Sequence, residues 1–134
     1  AYLSGYGLKS GAIATSVSHD SHNIIAVGAN ESDMALAVKR IQAMHGGIAV
    51  VENGAVRAEV PLPIAGLISD QNLQTVYQQL EDAKAAAHRL GVTRAVDPFM
   101  TLSFMALTVI PELRITTRGA FSVSKQKYME ASES

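Results

Sequence analysis

The sequence predicts an α/β fold of the α+β kind: a two-layer domain with a mixed, mostly antiparallel sheet of about five strands, two longer helices and one short buried helix. Three observations carry this. Asn53-Gly54 sits between two apolar runs, Ile48 to Val51 and Ala55 to Val60, and an Asn-Gly pair supplies the positive φ angles of a tight hairpin turn. Two stretches, near 31–45 and 71–90, repeat apolar residues at steps of three and four, as helices with one buried stripe do. Finally, 134 residues with 48% apolar side chains suffice for one core, so residues 1–134 are read as a single domain.

Taken in order, residues 12–18 alternate small or branched apolar side chains with hydroxyls, the pattern of a half-buried strand. Residues 24–28 form a continuous apolar run, better suited to a strand covered on both faces. Asn30 can cap the helix near 31–45, Glu31 and Asp33 suit the positive end of its dipole, and Gly46-Gly47 stops it. Pro61 and Pro63 cannot donate ladder hydrogen bonds, so the chain there leaves the sheet or runs along its edge. The second helix begins near Ser69-Asp70 and ends at Gly91. Asp97-Pro98 reads as a cap followed by a first-turn proline, opening an apolar, buried helix near 99–107 that Pro111 closes. One last strand is expected within 113–129, with a turn at Arg118-Gly119 and a frayed end.

Eleven Lys and Arg against twelve Asp and Glu give a net charge of −1, which lacks the positive field that tracks a phosphate backbone, so nucleic acid is not an expected partner. The apolar runs are far shorter than the roughly 20 residues of a membrane span. Zero cysteines fit a cytoplasmic setting and remove thiolate zinc sites and cysteine nucleophiles. No signal-peptide pattern is read. The opening at Ala1, without methionine and within a half-apolar run, is compatible with a fragment whose start lies upstream.

The cluster that can carry chemistry is Ser18-His19-Asp20-Ser21-His22-Asn23. Two imidazoles and a carboxylate within four residues can bind a metal or do acid–base work, but positions three apart on a strand face opposite ways, so His19 and His22 converge only if the segment turns. Two readings stand: a polar connection whose side chains cap their own backbone, or a functional loop. A metal site within the chain is not expected, because His45 and His88 sit near helix ends with no paired ligand beside them. Gly46-Gly47 follows a helix rather than preceding one, so it reads as a cap and not a phosphate cradle. No Gly-x-Ser-x-Gly elbow supports a serine hydrolase. The group Met100, Leu102, Phe104, Met105 and Leu107 reads as core, with an interface as the alternative.

Around that cluster the run Val17 to Gly28 resembles the C-terminal domain of the bacterial adenine deaminases of the amidohydrolase superfamily. Three further blocks agree in order: Gly7-Leu8-Lys9-Ser10-Gly11-Ala12-Ile13-Ala14, Leu62-Pro63-Ile64-Ala65-Gly66-Leu67, and Asp97-Pro98-Phe99-Met100 leading to Val109-Ile110-Pro111-Glu112-Leu113. The resemblance covers about residues 7 to 125. It implies a piece of an enzyme that hydrolyses adenine to hypoxanthine and ammonia, using a divalent metal ion (manganese, iron or zinc) whose ligands lie in an N-terminal barrel. This chain has no His-x-His strand motif and no room for eight strand–helix units, so it is expected to hold no cofactor and no catalytic residue and to be inactive alone. The implied partners are adenine, the barrel of the same protein and further copies of it.

On that resemblance His19, Asp20, Ser21, His22 and Asn23 are the substrate-binding candidates. The loop would close over the barrel mouth, with His19 or His22 donating to a purine nitrogen or shuttling a proton and Asp20 orienting an imidazole. The alternatives are a purely structural or oligomerisation domain and a free-standing small-molecule binding protein. Apolar surface for docking is expected at Tyr2, Leu3 and Tyr6 and around Met100 to Met105.

Overall fold

A computed structural model describes residues 3–19 and 21–129. Its centre is a four-stranded sheet in the order β2-β1-β3-β4, built from β1 (Ala12–Thr15), β2 (Ile25–Gly28), β3 (Gly47–Glu52) and β4 (Ala55–Pro61). Each neighbouring pair in it is antiparallel. Helices α1 (Glu31–Ala43), α2 (Leu73–Arg89) and α3 (Pro98–Ser103) surround this sheet. A second antiparallel sheet, β5 (Leu113–Thr116), β6 (Gly119–Ser122) and β7 (Lys127–Tyr128), follows. The α+β class is the expected one, whereas seven strands in two sheets replace about five in one.

The pleat explains the layering. Ala12, Ala14, Ala49 and Val51 pack with Ala37 and Ile41 of α1, while Ile13, Ile48, Val50 and Val60 pack with Ala83, Ala86 and Ala87 of α2 and with Phe99 and Leu102 of α3. Successive side chains point to opposite faces, so helices cover the central sheet on both sides and the layers number three rather than two. Strand β1 is consequently buried throughout, and β2, expected to be the covered strand, lies half-buried at the edge. The hydroxyls of residues 12–18 suggested a solvent face, but Thr15 and Ser16 are satisfied internally: Thr15 Oγ1 accepts from Val17 N at 3.0 Å, and Ser16 Oγ donates to Gly66 O at 2.6 Å, while Ser18 Oγ is buried without a partner.

Local signals set most boundaries. Asn53 and Gly54 both take positive φ, 53° and 72°, in the hairpin turn between β3 and β4. Asn30 caps α1 by accepting from Asp33 N at 2.8 Å, and Asp97 caps α3 by accepting from Phe99 N at 3.0 Å and Met100 N at 2.9 Å. Helix α2 starts later than Ser69-Asp70 because Asn72 is the residue that accepts from Thr75 N at 2.9 Å, while Ser69 Oγ is occupied by Gln71 N. Gly91 ends α2 with paired bonds, Gly91 N to His88 O and Val92 N to Ala87 O. The matching motif on α1 places His45, not glycine, in the left-handed position, with φ 59°. Gly46 N then bonds Ile41 O, and Gly46 and Gly47 are needed for a different reason: a Cβ on them would run into Gly66 and into the Val60 carbonyl.

Helix α3 stops at Ser103 instead of continuing to 107. The Ser103 carbonyl that would accept from Leu107 N is taken by His19 N at 2.7 Å, and Leu107 N turns to Phe104 O at 3.2 Å. Tyr6, expected on a docking surface, is buried in the core, and its hydroxyl donates to Pro98 O at 2.9 Å. Burial, with the charge of Asp97 adding to it, pushes that phenol well above its ordinary pKa. Tyr2 lies outside the described residues. Of the other candidates, Leu3 and Met100 are exposed, Phe104 and Met105 are half-buried, and Leu102 is buried.

Asp33 joins helix to hairpin. Its carboxylate accepts from Asn30 Nδ2 at 2.9 Å, Gly54 N at 2.8 Å and Asn53 N at 3.1 Å, and the Asn30 bond leads in holding its pKa below the usual carboxylate value. A folded-state pKa below the unfolded one stabilises the fold above the unfolded value, about 3.9, and that contribution is lost as pH falls through the folded pKa. Asp33→Asn is therefore expected to melt below the parent at pH 7, with a smaller gap at about pH 2, below the unfolded-state value, where the contribution of the depressed folded-state pKa is being lost. Thermal melts at the two pH values check this, and a gap equal at both would refute the assignment.

Candidate functional site

One end of the central sheet gathers the segments of interest. Strand β1 ends there, β3 begins there and β4 ends there, since Thr15 pairs with Ile48 and Gly47 with Pro61. Ser16 ties them together: its Oγ accepts from Gly47 N at 2.8 Å and donates to Gly66 O. The loop from Leu62 to Ile68 is thereby fixed over the end of β1. Ile64 and Ile68 bond each other's backbone at 3.1 Å in both directions, and Ala65 and Gly66 at the tip take φ of 56° and 72°. That hairpin-like closure leaves Ile64 and Ile68 exposed.

The polar cluster leaves the sheet at the same end. Ser18 is fully buried, and its carbonyl accepts from His22 N at 2.7 Å, closing a single turn in which His22 has φ 51°. The turn brings His19 and His22 together, with ring centroids 6.1 Å apart and planes tilted by 49°. Asn23 Nδ2 donates to Ser21 Oγ at 2.8 Å, a bond between side chains within the loop. Asp20 lies outside the described residues. His19, Ser21, His22 and Asn23 are all exposed, with both imidazoles presented to solvent.

The far partner of this loop is α3. His19 N donates to Ser103 O, and the His19 ring stacks on Phe104 with centroids 5.0 Å apart and planes 8° from parallel. Phe104 reads as core in the sequence, and nothing local marks it otherwise, because the contact joins distant parts of the chain. Ser16 reads as an ordinary strand residue for the same reason. The signal that bears on it is the Ala65-Gly66 pair, whose left-handed backbone marks a tight loop in need of an anchor.

What this surface can do chemically is donate and accept hydrogen bonds through two imidazoles, an amide and a hydroxyl. Two open grooves lie elsewhere, one of about 360 Å³ lined by Glu52, Arg57, Ala86, Arg89 and Leu90 and one of about 710 Å³ lined by Asn72, Leu73, Gln74 and Tyr77. Among the described residues no group of three or more histidine or acidic side chains is placed to hold a metal ion, and no helix is long and apolar enough to cross a membrane.

Comparison with known proteins decides the family. The sequence profile described as adenine deaminase C-terminal domain matches residues 1–127. The chain belongs to that family. It is 49% identical over 127 residues to an adenine deaminase of Bacillus subtilis, which covers 95% of this chain and 22% of that protein. It is 53% identical over 125 residues to an adenine deaminase of Dehalococcoides mccartyi, covering 93% of this chain and again 22% of the relative. A third adenine deaminase, from Halalkalibacterium halodurans, is 44% identical over 128 residues, 96% of this chain and 22% of that protein. An adenine deaminase C-terminal domain such as this one thus spans about a fifth of the length of the curated relatives it matches. The Ser18–Asn23 loop and the Leu62–Leu67 loop, from two of the blocks that carried the resemblance, both leave its sheet at the end where Ser16 bonds Gly66.

Proposed function

We propose that this chain is the accessory domain of an adenine deaminase, and that its histidine loop closes over the active site of the larger remainder of the protein to hold the purine. The observation that carries this is the loop itself: four polar side chains, His19, Ser21, His22 and Asn23, stand exposed on a turn held to the Ser18 and Ser103 carbonyls. A planar heterocycle with donors and acceptors around its edge suits such a surface, once a second wall excludes water. Family membership and the adenine deaminase relatives supply the substrate class. The divalent ion implied for the parent, whether manganese, iron or zinc, belongs to that remainder, since the described residues here do not fit it. Turnover is accordingly a property of the whole protein, working in the cytoplasm and assembled with further copies of itself.

A structural or oligomerisation role is the second reading, favoured by the exposed apolar residues Ile64, Ile68, Leu73 and Tyr77. Amide hydrogen exchange separates the two. In a full-length adenine deaminase carrying this domain, adding hypoxanthine is expected to slow exchange of residues 18–23 while leaving the β5–β7 sheet unchanged. Unaltered exchange in the loop at saturating ligand would favour the structural reading.

A further inference from the structure

The C-terminal end of α3 grips His19 twice. Ser103 O accepts its backbone N–H at 2.7 Å, and the face of Phe104 covers its ring at 5.0 Å and 8°. Two consecutive residues thus fix both the path of the loop and the plane of one imidazole. The platform is firm. Phe99 and Leu102 are buried in the main core, Asp97 caps the helix and pairs with Lys84 Nζ at 3.2 Å, and Ser103 Oγ donates to Met100 O at 2.7 Å. Burial works to raise the Asp97 pKa, yet the Met100, Lys84 and Phe99 contacts outweigh it and keep the carboxyl ionised below its ordinary range.

Phe104 differs from its helix neighbours. It is half-buried, and its ring lies along a solvent-exposed imidazole where Phe99 and Leu102 face the core. An exposed histidine ordinarily samples several rotamers, and ordering it upon binding weakens affinity. A parallel aromatic neighbour removes that freedom in advance while leaving the ring nitrogens at the edge, free to donate or accept. Resting on the reading of the loop as a purine contact, we infer that Phe104 is a positioning residue that presets the His19 ring for the substrate. It does not itself touch the purine.

Two measurements test this. In NMR spectra of this chain, the His19 ring protons should lie upfield of their positions in Phe104→Leu, since a stacked ring shields them, and Phe104→Tyr should restore the shift. In the full-length enzyme, Phe104→Leu should raise KM for adenine between about two- and tenfold, the scale of one aromatic pair, with kcat nearly unchanged and with recovery in Phe104→Tyr. The decisive arm is the double variant. In a His19→Ala background, Phe104→Leu should add nothing to KM. If it adds its full effect there, Phe104 acts independently of His19 and the inference fails. If His19→Ala alone leaves KM unchanged, the purine-binding reading of the loop fails first and takes this inference with it. Phe104→Tyr retains the aromatic face, so it reports even if the leucine variant folds poorly.

Discussion

Gly47→Ala is expected to destabilise the domain by on the order of 3–5 kcal/mol, and Gly47→Val to leave little of it folded at 25 °C. Gly47 has φ 139°, and a Cβ there would meet the Val60 carbonyl of the adjacent strand. Relief would require β3 and β4 to part at the sheet end where the Ser16 clamp sits. Gly47 N and O both bond Ser16, the carbonyl accepting from Ser16 N at 2.9 Å, so a shift would also free Gly66 and the Leu62–Ile68 loop. Gly54→Ala is the control. It has φ 72° but open space around its Cβ position, so its cost is expected to stay near the 1–2 kcal/mol of a left-handed non-glycine residue. Urea unfolding midpoints for the two variants make the comparison, and equal midpoints would refute the steric argument.

Gly47 also shows where sequence reasoning reaches and where it stops. That α1 stops before Gly46-Gly47 is legible, because helix termination is local. That His45 takes the left-handed position, and that the glycines are held by close approach of β4 and the Gly66 loop, depends on strand pairing that local sequence does not encode. The Asn53-Gly54 hairpin and the Asn30 and Asp97 caps were readable for the same local reason. The order β2-β1-β3-β4 was not, and it decides which strand is central: Ala12 and Ala14 look half-buried until α1 is known to lie against them. The candidate site divides the same way. The turn that brings His19 to His22 follows from turn-forming residues in the cluster, whereas the Phe104 stack and the Ser16 clamp are long-range contacts.

The histidine loop yields the second large expected effect. In the full-length enzyme, His19→Ala and His22→Asn should each lower kcat/KM for adenine about tenfold, the loss of one net hydrogen bond of roughly 0.5–1.5 kcal/mol to the bound purine. Folding should change by less than about 0.5 kcal/mol for the exposed His22 and by no more than about 1.5 kcal/mol for His19, which loses its stack on Phe104. Asparagine rather than alanine is chosen at position 22 because φ there is 51°, a conformation asparagine tolerates and alanine resists. The magnitude carries the role. A positioned acid or base removed from the transition state costs about 10²- to 10⁴-fold and reshapes the pH profile of kcat, whereas a binding contact appears mainly in KM. Losses of 10²-fold or more would therefore move these histidines from binding to proton transfer. Turnover within a factor of two of the parent, joined to a lower melting temperature, would make the loop a structural connection. The turn closed by His22 N on Ser18 O would then be its whole purpose.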